Sequence, residues 1–193
     1  MFSEKWKKEI FSLPNLLSFL RISLIPAYMM VYLKAENDRQ YLLAGSILAV
    51  SCLTDLADGI IARKFHMVTD LGKILDPLAD KLTQFSLILS LSVRYRVLHP
   101  VLVLFLIKEL FQGGACLFFA RRGKALPGAL FAGKLCTSVL FVSLILLVIF
   151  PRIPAKTVLL LTLMDTGFLS YAFAGYLAAY LGKNSCLMDW NLG

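Results

Sequence analysis

TDLADGIIARKFHMVTDLGKILDPLADKL, residues 54–82, carries Asp55, Asp58, Asp76 and Asp80 within 26 positions of a chain that is apolar on either side. An ionised aspartate near a lipid bilayer is costly, so acids in such a setting are functional candidates. At about 100° per helical residue, Asp55 and Asp58 lie about 60° apart on one face, with Gly59 and Ala62 beside them. Asp76 and Asp80, four apart, share a face of the following helix, with Gly72 one turn ahead. A short connection between two such helices brings both acidic faces together at one end of the pair. Clustered carboxylates repel unless cations neutralise them, and an oxygen-only ligand set selects hard ions such as Mg²⁺ or Mn²⁺. Two such ions suit phosphoryl chemistry, and one carboxylate can act as general base for an attacking hydroxyl. The plainer reading pairs these acids with Arg63, Lys64, Lys73 and Lys81 as salt bridges at the ends of spans. It accounts for any one aspartate, but not for four of them interleaved with small residues.

The rest of the chain places this cluster in a membrane. The 193 residues are 59% hydrophobic and 17% charged, with a mean hydropathy of +0.75. A soluble domain carries about a quarter charged residues. The length accommodates a single domain, residues 1–193, of roughly six spans of ~20–25 residues. The net charge of +8 has no long basic run or aromatic-interleaved basic face, which argues against a nucleic-acid partner. The basic residues instead cluster at span ends, where they set topology and attract anionic lipid. Cys52, Cys116, Cys136 and Cys186 show no CxxC spacing, so a zinc site is not expected.

The expected fold is therefore all-α and integral to the membrane, with six transmembrane helices preceded by an amphipathic juxtamembrane helix over Met1–Ser12. The spans are read at about 16–33, 41–61, 71–93, 100–120, 129–149 and 157–181. Leu13-Pro14-Asn15 marks the start of the first helix. Lys5, Lys7 and Lys8, then Arg63 and Lys64, then Arg121, Arg122 and Lys124 all fall on one side. This bias puts both termini and the acidic cluster in the cytoplasm, in a membrane of the bacterial inner-membrane type.

The spacing Asp55-x2-Asp58-Gly59-x2-Ala62-Arg63-x8-Gly72-x3-Asp76-x3-Asp80 resembles the complete signature of the CDP-alcohol phosphatidyltransferases. The likeness extends to Leu13-Pro14-Asn15 and Ser18-x2-Arg21 upstream. The resemblance implies that an acceptor alcohol attacks the phosphate borne by the lipid of CDP-diacylglycerol, releasing CMP. It implies two divalent cations, Mg²⁺ or Mn²⁺, held by Asp55, Asp58, Asp76 and Asp80, with Asp80 as general base. Gly59 and Ala62 would let the nucleotide approach, Arg63 would contact its diphosphate, and Ser18, Arg21 and Thr69 would complete its pocket. A homodimer is a further implication of the family.

The opening through Arg21 looks like the phosphatidylglycerophosphate synthase branch, whose acceptor is glycerol 3-phosphate. Lys108, Arg121 and Lys134 are the cations available for an acceptor phosphate. The chain departs from that branch at Ile107-Lys108-Glu109, where Gly-Arg-Glu is usual, and a lysine offers a point charge in place of a bidentate fork. The alternative acceptor is phosphatidylglycerol, as in the cardiolipin synthase branch. A rival of another class is a divalent-cation transporter, since membrane carboxylates also mark ion paths. Against it, the acids gather at one end of two spans, and only Asp165 lies in another apolar run.

Overall fold

The structure is a computed structural model that describes residues 13–64, 69, 72–121 and 131–181. The expected juxtamembrane helix over residues 1–12 lies outside the described residues. Each of the six hydrophobic runs forms a helix: α1 (Leu13–Leu33), α2 (Asp38–Lys64), α3 (Gly72–Arg94), α4 (His99–Arg121), α5 (Phe131–Ile149) and α6 (Ala155–Leu181). A 3-10 turn, Arg96–Leu98, precedes α4. Three stretches are long and apolar enough to cross a membrane, Asn15–Leu33, Arg96–Ala115 and Ala155–Ala178, and Leu135–Ile149 is apolar but shorter. Large apolar side chains such as Leu42, Leu110 and Leu163 are exposed on the helices, as on a surface solvated by lipid rather than by water.

The chain divides into two compact units. The first comprises Met1–Arg94 and Ile145–Arg152, the second Tyr95–Leu144 and Ile153–Gly193.

In the first unit α1 packs against both α2 and α3. Small buried residues, Ala44 on α2 and Ala79, Ser86 and Ser90 on α3, let helices approach closely where no hydrophobic effect drives association. The α1–α3 seam carries side-chain hydrogen bonds whose partners are 54, 58, 59 and 62 residues apart: Asn15 with Thr69, Ser18 with Asp76, Arg21 with Asp80 and Tyr28 with Ser90. Both members of each pair advance together along the chain, so α1 and α3 run parallel. Three of the four pairs cluster at the N-terminal end of the seam; the fourth lies about 20 Å along α1 from the first.

The other end of this unit is tied by aromatic and surface contacts. Tyr32 meets Tyr28 and Tyr41 at centroid distances of 5.6 and 5.5 Å, and the Arg94 guanidinium lies 4.1 Å from the centroid of Tyr41. Arg94 also donates to the carbonyl of Pro151 at 2.9 Å. Before α2, the Gln40 carboxamide oxygen accepts the backbone N–H groups of Glu36 and Asn37 at 2.7 and 3.2 Å, which satisfies donors that a helix start leaves open.

In the second unit α4 packs on α6, and the 3-10 turn touches both. Phe111 and Phe173 meet edge to face at 5.5 Å and 88°. Tyr176, buried on α6, sets its phenol against Gly133 of α5, where an added Cβ would collide with the hydroxyl and ring. Asp165, midway along α6, is buried.

Candidate active site

The acids of the 54–82 stretch meet at α1, a helix that their own spacing does not mention. Arg21, with 2% of its side chain exposed, places Nη2 2.6 Å from Asp55 Oδ1 on α2 and Nη1 3.0 Å from Asp80 Oδ1 on α3. One planar guanidinium thus bridges carboxylates from two helices, which a lysine ammonium has neither the width nor the donors to do. One turn earlier, the Ser18 hydroxyl donates to Asp76 Oδ1 at 2.6 Å. α1 is the helix that packs on both α2 and α3 and reaches acids on both.

Asn15, Ser18 and Arg21 are spaced by three, so they step around α1 by about 60° each and share one side of it. All three are buried. Asn15 engages Thr69, with Nδ2 donating to Thr69 Oγ1 at 3.0 Å and Thr69 Oγ1 donating to Asn15 Oδ1 at 3.1 Å. The same Thr69 oxygen accepts the backbone N–H of Gly72 at 3.0 Å, the contact of a residue that caps a helix start.

The donor set fits a hard divalent cation. Each of Asp55, Asp76 and Asp80 has Oδ1 engaged by α1, and among the described residues no hydrogen bond or ion pair is made by its Oδ2. The side chains of Asp55 and Asp80 are 43% and 52% exposed, so these oxygens are open to a ligand. Among the described residues no three metal-ligating groups close on a common point. The fourth acid, Asp58, stands on α2, and its side chain lies outside the described set, as do those of Gly59, Ala62 and Arg63.

Of the expected nucleotide residues, Ser18 and Arg21 contact the aspartates, and Thr69 contacts Asn15 and Gly72. Asn15 was not among the expected site residues. Its spacing of three from Ser18, and of six from Arg21, is the signal that finds it.

The expected acceptor cations belong to the second unit. Lys108 on α4 is 3% exposed, with Nζ 2.6 Å from Glu109 Oε1 and 5.9 Å from the centroid of the Tyr176 ring. Arg121 ends α4 and Lys134 lies in the first turn of α5; their side chains lie outside the described set.

A sequence profile for CDP-alcohol phosphatidyltransferase matches residues 11–174. A Mycobacterium tuberculosis protein named probable phosphatidylglycerophosphate synthase is 34% identical over 145 residues, covering 74% of this chain and 68% of that protein. Two proteins named CDP-diacylglycerol–glycerol-3-phosphate 3-phosphatidyltransferase also match. The one from Rickettsia bellii is 36% identical over 110 residues, 56% of this chain and 60% of its own length. The one from Bacillus subtilis is 43% identical over 84 residues, 38% of this chain and 44% of its own.

Proposed function

The chain belongs to the CDP-alcohol phosphatidyltransferase family, and on that premise we propose that it transfers the phosphatidyl group of CDP-diacylglycerol to glycerol 3-phosphate, releasing CMP. The observation that carries the reading is the convergence on α1 of aspartates from two other helices, each held through Oδ1, with Asp55 and Asp80 half exposed. The names of the relatives, three of which specify glycerol 3-phosphate or its phosphatidyl product, support this acceptor.

In this reading Asp55, Asp58, Asp76 and Asp80 hold two divalent cations, Mg²⁺ or Mn²⁺. When bound, these cations offset the charge of the diphosphate and of the departing CMP. The acceptor hydroxyl oxygen forms a bond to the phosphorus that carries diacylglycerol, and the bond from that phosphorus to the CMP oxygen breaks. Asp80 takes the hydroxyl proton; its side chain is half exposed and, among the described residues, is tethered through Oδ1, and Oδ2 acts as the base. Arg21 keeps Asp55 and Asp80 oriented, and Ser18 does the same for Asp76. Gly59, Ala62, Arg63 and Thr69 remain assigned to the nucleotide side, and Lys108, Arg121 and Lys134 to the acceptor phosphate. Six spans, a single membrane domain, cytoplasmic termini and site, a bacterial inner membrane and a homodimer complete the proposal, each supported by family membership and the distribution of basic residues.

The test is CMP release from CDP-diacylglycerol by the purified chain with Mg²⁺ or Mn²⁺, run against glycerol 3-phosphate, phosphatidylglycerol, serine and inositol phosphate. The expected product is phosphatidylglycerophosphate, and Asp80→Asn lowers its rate by about 10²–10⁴-fold, the range for loss of a positioned base. Product only with phosphatidylglycerol would transfer the assignment to cardiolipin synthesis. No CMP with any acceptor, together with Mn²⁺ uptake into liposomes, would favour a transporter.

A further inference from the structure

The three bonds at the N-terminal end of the α1–α3 seam have different standing in the reaction. Ser18 and Arg21 touch aspartates directly. Among the described residues Asn15 contacts Thr69 rather than an aspartate, yet it is 1% exposed and lies where the chain enters α3. A buried carboxamide needs a reason to be there, because it is costly unless its hydrogen bonds are made.

Two of those bonds go to Thr69, and they help fill that residue's inventory. A hydroxyl has one proton to donate and two lone pairs with which to accept. Thr69 donates to Asn15 Oδ1 and accepts from Asn15 Nδ2 and from the Gly72 N–H. With its hydroxyl so engaged, Thr69 acts here as the cap of α3. Gly72 is the third member. A Cβ at this position would stand 2.8 Å from Asn15 Oδ1 and 3.0 Å from Thr69 Oγ1, so any larger residue pushes the pair apart.

We propose that Asn15 is a positioning residue for the aspartates of α3. It clamps the Thr69 cap and the Gly72 turn against the start of α1, which sets the register that brings Asp76 to Ser18 and Asp80 to Arg21. Asp76 and Asp80 lie one and two turns beyond Gly72, so a displacement of the helix start carries both carboxylates with it. The inference rests on the reading of these aspartates as metal ligands and adds a residue that acts on the metal site through others. Groups that orient ligands in this way change metal affinity by roughly 10–100-fold when removed.

The same seam supplies the control. Tyr28 and Ser90 make a buried hydrogen bond of 3.0 Å about 20 Å along α1 from Asn15. Tyr28→Phe removes a polar contact between the same two helices without touching the start of α3. Mn²⁺ binding to the full chain in detergent is read from the loss of the free-ion electron paramagnetic resonance signal, alongside the melting temperature of each variant. Asn15→Ala is expected to weaken Mn²⁺ binding by about 10–100-fold, whereas Tyr28→Phe lowers the melting temperature and leaves Mn²⁺ affinity unchanged. Gly72→Ala, which perturbs the clamp from its other side, shifts affinity in the same direction as Asn15→Ala and serves in its place should that variant fail to fold. Wild-type affinity in Asn15→Ala or Gly72→Ala, or an equal loss in Tyr28→Phe, overturns the proposal. If the unaltered chain binds no Mn²⁺, the metal reading itself falls; if it binds and the clamp variants match it, only the role of Asn15 does.

Discussion

The two units hold charge inside the protein by opposite means. In the first, a single buried guanidinium is shared between two half-exposed carboxylates from different helices, and a serine holds a third. Among the described residues three carboxylates meet one guanidinium, and Asp55 and Asp80 are half exposed, which suits a further cation. In the second, Lys108 is paired with its immediate neighbour Glu109 on the same helix and lies beneath an aromatic ring. That charge has its partner one residue away on the same helix. The first arrangement is built by tertiary contacts between helices; the second is built by adjacency along one helix.

The contrast predicts different sensitivities. The largest expected effect, apart from loss of Asp80 itself, is at Arg21. Arg21→Lys keeps the charge but cannot fork to Asp55 and Asp80, and is expected to lower kcat/KM for CDP-diacylglycerol by about 100-fold. If the lysine variant retains full activity, the shared fork is not what organises the site.

Gly133→Ala tests the second unit. Its Cβ would strike the Tyr176 phenol, which is expected to cost about 1–3 kcal/mol of stability, read by thermal melting. Tyr176→Phe in the same background recovers part of the loss, since it removes the hydroxyl but not the nearby ring atoms. A full loss of activity at unchanged stability would instead tie this packing directly to the chemistry.

The smallest effect is expected at the end of the first unit away from the aspartates. There the exposed Arg152 pairs with Asp38 at 2.7 Å, and exposed pairs contribute little. Arg152→Ala is expected to change stability by less than about 1 kcal/mol and to leave CMP release untouched. A larger change would show that ion pairs at this end also matter to the fold.

The helices were legible because apolar runs are long and their breaks are marked: Pro100 stands at the second position of α4, and Pro151 and Pro154 separate α5 from α6. The aspartates were legible because their helical spacing is regular and their cost in a membrane is high. What spacing did not reveal was the third helix of the site. Arg21 lies 59 residues from Asp80, and periodicity relates residues along one helix, never the side that helix turns to another. Asn15 was hidden for a different reason. Beside Leu13-Pro14 it reads as part of a helix start, and only its hydrogen bonds to Thr69 distinguish a local signal from a long-range clamp. The weak signal it did carry, the spacing of three to Ser18 and Arg21, became interpretable once those two residues had partners.

The ion pair between Arg21 and Asp55 also bears on how the chain enters its membrane. Within Leu13–Leu33, α1 contains an arginine and no acid. An arginine disfavours insertion of a lone helix by about 2.5–3.5 kcal/mol at the bilayer centre, and by less toward its edge. On the six-span reading, the next helix to leave the ribosome brings Asp55 to that guanidinium, so α1 and α2 are better suited to insertion as a neutralised hairpin than one at a time. A contact that orients a carboxylate in the finished enzyme thus also eases, during biosynthesis, the passage of the first helix into lipid.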